Sequence, residues 1–247
     1  MELTATQKRQ LFENGYLELA GLVSEKLRNI ALRAINYSLG NGMRPQDVPK
    51  FRASSYCPEL LGKPAITDLL YKSGLWSIAE SLIGKNRLRL LGGGQIALRY
   101  PVMEHPAKLA PHIDGMYREG NRVQKGNLES FTMLAGVLLT DVPNHYWGNF
   151  TVWPGSHRLL EKHFQENGWE SIRDGLPKIK MPEPVQLTAR AGDAILYHYQ
   201  TVHTVVSNVS PYIRYAVFFR LAHMNHATHR EKTFADIWME WPGMKGL

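Results

Sequence analysis

Apolar positions are spaced differently before and after residue 88. In the first part they recur at helical intervals. Residues 4–14 are predicted as a helix capped by Thr4 or Thr6, and Gly15–Leu19 as a short strand. Ser24 opens a second helix to about Leu39, with Leu27, Ile30, Leu32, Ala34 and Ile35 on its apolar side. The segment NGMRPQDVPKFRASSYCPELLGK (41–63), rich in Pro, Gly and Arg, reads as a loop able to fold over a pocket. Ile66–Ile83 is a third helical stretch, or two short ones broken at Gly74. From Leu88 to about Leu221 short apolar runs alternate with Gly, Pro and Asn turns, the pattern of strands in a jelly roll. A helical insert at about Leu159–Trp169 interrupts them, and the tail Thr228–Leu247 holds a short helix ending before Pro242. The predicted organisation is a single domain over 1–247: mostly helical at 1–87, a jelly-roll core at 88–221, and a C-terminal tail at 222–247.

Within the strand-rich part, PHIDGMY (111–117) carries His112 and Asp114 two positions apart. On a strand, positions i and i+2 face the same way, so an imidazole and a carboxylate would meet at one point. AGDAILYHYQTVHTVVSN reads as a turn at Ala191–Asp193, a buried strand from Ala194 to Tyr197, a bend, and a second strand carrying His203. Two imidazoles and one carboxylate on one face of a metal, with the other positions open, is the ligand set of non-haem Fe(II) oxygenases. In PYIRYAVFFRLA, Ile213, Tyr215, Val217 and Phe219 share one strand face and Arg214, Ala216, Phe218 and Arg220 the other. A guanidinium on the inner face of a barrel is costly unless it meets an anion. A dicarboxylate co-substrate would suit Arg214, because the planar fork binds a carboxylate through two parallel hydrogen bonds.

These segments, taken together, resemble the phytanoyl-CoA dioxygenase (PhyH) family of Fe(II)- and 2-oxoglutarate-dependent oxygenases. FENGYLELAGLVSEKLRNIALRAI (12–35) is similar to the family's opening strand and helix. GNFTVWPGSHR (148–158) resembles its PGSH segment, and AGDAILYHYQTVH its GD…H segment, with Arg214 following His203 at the family spacing. The resemblance implies a mainly β fold with helices: a double-stranded β-helix (jelly roll, cupin-like) core flanked by N-terminal helices. It implies His112, Asp114 and His203 as catalytic metal ligands for Fe(II), and Arg214 as the seat of the distal carboxylate of 2-oxoglutarate. O2 is the other co-substrate. The implied reaction hydroxylates a small organic molecule and releases succinate and CO2, with desaturation or ring closure as variants on the same platform. Related halogenases have a small residue in place of the carboxylate, so Asp114 disfavours halogenation. Trp147 stands where Asn usually precedes the glycine, so phytanoyl-CoA itself is not carried over as substrate.

Other residues are candidates on position alone. Gln95, Ala97 and Arg99 share a face of the strand in GGGQIALRYP, and Gln95 or Arg99 could touch 2-oxoglutarate or substrate; a solvent-facing polar stripe is the other reading. Thr132, on one face of the apolar strand in FTMLAGVLLTDV, is a candidate donor to the co-substrate. Met116, Tyr117 and Arg118 after the H-x-D pair, with Tyr146, Trp147 and Trp153 around the Gly148–Phe150 turn, are candidate pocket walls. His145, His157, His163 and His198 lack a partnering spacing. His223, His226 and His229 recur every third residue without a neighbouring carboxylate or thiolate, which points to a solvated basic segment.

Composition narrows the function classes. With 247 residues and 44% apolar content the chain can build one core. Its N-terminus has no apolar signal segment, no apolar run reaches the roughly 20 residues that span a bilayer, and the single Cys57 cannot form an intrachain disulfide. A cytoplasmic protein without a membrane partner is expected. The net charge of +7 is scattered, so nucleic acid is not expected as a partner, and a modest field drawing in anionic small molecules is. The oligomeric state is not legible. Two other function classes use the same residues: a non-catalytic jelly-roll module that binds metal or ligand, and a Zn-dependent hydrolase with a metal-bound water.

Overall fold

Short polar side chains at positions 4 and 24 set where the first two helices begin. In the computed structural model, which describes residues 1–104, 106–117 and 123–246, Thr4 accepts from the Gln7 amide while the Gln7 side chain accepts from the Thr4 amide. This reciprocal cap opens α1 (Ala5–Asn14). Gly15 closes it in the left-handed region at φ +79, and β1 (Tyr16–Leu19) follows. Ser24 caps α2 (Glu25–Gly40). The segment 41–63 is more ordered than the loop reading. It holds a short helix, α3 (Val48–Ala53), between single 3-10 turns at Pro45–Asp47 and Pro58–Leu60. Each of these pieces has proline in its first turn, where no intrahelical N–H is needed, so residues that punctuate loops here start helices. Gly74, left-handed at φ +92, separates α4 (Pro64–Tyr71) from α5 (Leu75–Ile83). Both bury their apolar stripes, among them Ile66, Leu69, Ile78 and Leu82.

The remaining strands are β2 (Leu88–Arg99), β3 (Met133–Leu138), β4 (Phe150–Val152), β5 (Val185–Gln186), β6 (Ala194–His198), β7 (His203–Val205) and β8 (Arg214–His223). The helical insert α6 spans Ser156–Asn167, starting earlier than its apolar pattern suggests, and a four-residue helix, α7 (His226–His229), follows β8. Pairing is antiparallel throughout the two sheets, ordered β1-β6-β3-β8-β2 and β5-β4-β7. β1 joins from the N-terminal part, setting Tyr16 opposite Tyr197 and Leu19 opposite Ala194.

Strand alternation sorts β8 into two environments. Val217, Phe219 and Leu221 pack with the helices against one face of the large sheet. Ala216, Phe218 and Ala222 face the second core with Leu134, Phe150 and Tyr197. The architecture is a double-stranded β-helix with helices on one side. No helix among the described residues is long and apolar enough to cross a membrane.

The tail departs from its expected single helix. It is α7 followed by 3-10 turns at Lys232–Phe234 and Pro242–Met244. Phe234, Ile237 and Trp241 are each buried, so separate anchoring points replace helical continuity.

Two buried imidazoles tie terminal segments to the rest of the fold, His198 from β6 and His157 from α6. His198 Nε2 donates to Ile237 O at 2.9 Å and the ring lies against Trp238 and Trp241. His157 Nε2 donates to Phe12 O at 3.0 Å. Burial holds both below the usual histidine range, His198 at about 4 and His157 at about 3, the latter also repelled by His198. Once unfolded, each binds a proton near pH 6.5. Stability is therefore whole above about pH 6.5 and falls as pH drops toward 4, by up to about 1.4 kcal/mol per pH unit for each group. Urea unfolding between pH 7 and 4.5 should show this loss, and a His157→Gln/His198→Gln variant should lose less. An equal loss in the variant would place the acid sensitivity elsewhere.

Candidate metal centre

His203 opens β7, and its backbone pairs with a residue far away in sequence. The His203 amide donates to His112 O at 2.9 Å and the His112 amide to His203 O at 3.0 Å. This isolated bridge is all the β-structure the H-x-D segment has. The strand expected there is absent, and the chain turns at Asp114–Gly115. Gly115 sits at φ +76, and a Cβ on it would stand 1.9 Å from Glu129 O, so the turn needs glycine. The bridge and the turn, in place of strand alternation, bring His112 and Asp114 to the same point.

There, Asp114 Oδ1 lies 3.6 Å from His203 Nε2 and 4.0 Å from His112 Nε2. One donor atom from each of the three residues falls within 4.8 Å of the others. The rings are prepared for ligation from behind. His112 Nδ1 faces Ala110 O at 3.1 Å and His203 Nδ1 faces Thr201 O at 3.0 Å. A carbonyl can only accept, so each Nδ1 carries a proton, and the neutral form of each ring keeps its lone pair on Nε2. Two atoms held about 2.1 Å from one ion are at most about 4.2 Å apart, and both carboxylate–imidazole separations meet that limit. The donor set fits a divalent transition metal.

Arg220 completes the carboxylate's surroundings. Its Nη2 donates to Asp114 Oδ2 at 2.8 Å, and its Nη1 to Gln95 Oε1 at 2.8 Å. Burial pushes the Asp114 carboxyl up, but the Arg220 charge, the foremost opposing influence, holds it well below the usual range. Oδ2 is thus engaged and Oδ1 faces the imidazoles. The sequence placed Arg220 on the inner face of β8 but gave it no role. Its signal was the same-face spacing from Arg214.

Arg214 begins β8 and is 3% exposed. Nε donates to Gly148 O at 2.9 Å and Nη1 to Ala97 O at 3.1 Å, while Nη2 is buried without a hydrogen-bond partner. Burial first, and then the neighbouring Arg99, push its pKa well below the usual arginine value. A buried guanidinium with one prong unmet is a ready receptor for a carboxylate. Gly148, at φ +74, lets the turn pass over this pair: a Cβ would meet Arg99 Cβ at 2.9 Å and Arg214 Cβ at 3.3 Å.

A cavity of about 880 Å³ opens beside the three donors. Gln95 and Arg99 line it, together with Phe131, Leu134, Phe150 and Tyr197. Tyr197 was not singled out in the sequence. Its ring packs on His203 with centroids 5.1 Å apart, and its buried hydroxyl has no hydrogen-bond partner.

Several expected contacts do not form. β3 starts at Met133, one residue after Thr132, whose hydroxyl instead bonds Glu240 and accepts the His223 amide; Thr132 is therefore not a co-substrate donor. Met116 and Trp153 are core residues. Trp147 is half-buried against Tyr212, and Tyr117 is half-buried; neither lines the cavity. Arg118 lies outside the described residues. His223, His226 and His229 are not a solvated run, since Glu240 from the tail sits among them.

The sequence profile of Phytanoyl-CoA dioxygenase (PhyH) matches residues 13–216. The chain belongs to the phytanoyl-CoA dioxygenase family. Membership brings that family's cofactor set, Fe(II), 2-oxoglutarate and O2. Solved structures share the fold. One is SnoN, a non-haem alpha-ketoglutarate-dependent epimerase from nogalamycin biosynthesis, with 22% identity and a TM-score of 0.60 over 88% of this chain and 81% of that one. Another is iron-bound HygX from Streptomyces hygroscopicus, with 19% identity and a TM-score of 0.59 over 90% and 88%. A third is EctD from S. alaskensis with 2-oxoglutarate and 5-hydroxyectoine, with 16% identity and a TM-score of 0.59 over 90% and 76%. No curated protein matches the sequence.

Proposed function

We propose that the protein is an Fe(II)- and 2-oxoglutarate-dependent oxygenase that hydroxylates a small organic molecule. In this reading His112, Asp114 and His203 hold the iron and Arg214 seats the distal carboxylate of 2-oxoglutarate. The observation that carries it is the convergence of two imidazoles and one ionised carboxylate beside a cavity, with the unmet prong of Arg214, itself outside the cavity lining, on the strand position paired with the cavity-wall residue Arg99. His112, Asp114 and His203 would hold the iron, which would supply O2-dependent oxidation of the substrate coupled to conversion of 2-oxoglutarate to succinate and CO2.

The chain's own contribution is placement. The carbonyls of Ala110 and Thr201 keep both imidazoles in the ligating tautomer, and Arg220 keeps Asp114 charged and turned. Gly148 O and Ala97 O fix two prongs of Arg214, leaving Nη2 for the co-substrate. Phe131, Leu134, Phe150 and Phe218 give the cavity an apolar section of wall. The volume suits a drug-sized molecule, since such sites run to about 300–1,000 Å³.

Anaerobic addition of Fe(II) and then 2-oxoglutarate should produce a weak visible metal-to-ligand charge-transfer band. Admission of O2 should then yield succinate, and mass spectrometry of a turned-over substrate should show one added oxygen atom. Loss of two hydrogens would instead indicate desaturation or ring closure. Iron binding with no band on adding 2-oxoglutarate would sink the reading. Hydrolysis with Zn(II) in the absence of O2 would replace it.

A further inference from the structure

At the C-terminal end of β8 a second group of donor atoms is gathered, sharing no residue with the first. His223, His229 and Glu240 each place one such atom within 4.8 Å of the others. The Glu240 side chain is 2% exposed, and its two oxygens are treated unequally. Oε2 accepts from the Thr132 hydroxyl and from His226 Nδ1 at 2.8 Å. Oε1 is buried without a hydrogen bond. His229 Nδ1, also buried and without a hydrogen bond, stands 3.4 Å from it. His223 Nδ1 is 4.0 Å from the same oxygen and accepts the Asn225 amide at 3.1 Å. A nitrogen that accepts an N–H carries a lone pair, so Nδ1 of His223 is unprotonated and able to ligate if it gives up that hydrogen bond.

Glu240 Oε1 and His229 Nδ1 face each other at 3.4 Å with no hydrogen bond to either, an arrangement that an ion pair or a shared metal ion would satisfy. His226 is already occupied: Nδ1 meets Glu240 and Nε2 faces Ser130 Oγ at 2.9 Å. It serves to orient the carboxylate, as a supporting residue does behind a metal ligand. The two distances to Oε1 fall inside the limit of about 4.2 Å for atoms sharing one ion. We propose that His223, His229 and Glu240 form a second metal site for a divalent ion of the zinc class, with water in the fourth position. The ion would fasten the segment from His223 to Glu240 onto Thr132 beside β3. Ligation by His223 exchanges the Asn225 hydrogen bond for a metal bond.

The test uses the full chain with the first centre disabled by His112→Ala/His203→Ala, or by Asp114→Ala should that variant fail to fold. After chelator treatment, Zn(II) is expected to bind one equivalent. At a hundredfold excess over Kd it should raise Tm by roughly 5–10 °C. Co(II) should give the visible absorption of a four-coordinate site. His229 is 26% exposed, so adding His229→Ala can remove a ligand without opening the core. That variant should lose both the equivalent and the Tm shift. A folded background variant that binds no Zn(II), or one whose binding survives His229→Ala, would overturn the proposal.

Discussion

Asp114→Ala is expected to lower Fe(II) affinity at least about a hundredfold, the upper end of what losing a mere supporting residue does, and to reduce succinate formation to background. The effect has two sources. One donor of three is lost, and Arg220 loses the carboxylate it pairs with at 2.8 Å. An uncompensated guanidinium beside two imidazoles then repels an incoming dication. Asp114→Asn separates the contributions, since it keeps the shape and removes the charge. Iron titration followed by the charge-transfer band reads both. Unchanged affinity in Asp114→Ala would remove this carboxylate from the metal centre.

Arg214→Ala is expected to raise the KM for 2-oxoglutarate by two to three powers of ten while iron affinity without co-substrate stays unchanged. Removing one partner of a buried charge pair costs about 3–5 kcal/mol, and each 1.4 kcal/mol is about tenfold. Arg214→Lys should fall between, because an ammonium keeps the charge but cannot replace the two-pronged geometry or hold Gly148 O and Ala97 O together. An alanine variant that folds and keeps the parent KM would require another residue to seat the diacid, and Arg99 on the cavity wall would be the first to examine.

Much of this architecture was legible in the residues because local rules and tertiary packing agree. Thr4, Ser24 and Gly74 act as the caps and break their chemistry suggests, and β8 alternates between two cores as its apolar pattern requires. Legibility failed where long-range contacts decide. Thr132 is captured by Glu240 from more than a hundred residues away, and no strand periodicity carries that information. The tail's aromatic residues read as one helix but dock separately. The H-x-D segment was read as a strand, yet a single backbone bridge and a glycine turn hold it. Arg220 was visible as an inner-face residue, but its meeting with Asp114 depends on that same turn.

The clasp between Arg220 and Asp114 also bears on the order of assembly. A carboxylate already neutralised by its own chain needs no cation to make the barrel habitable, so polypeptide collapse can precede acquisition of iron. Loading then adds stability by mass action alone, and depleting iron should silence the enzyme while leaving a shaped, refillable vessel.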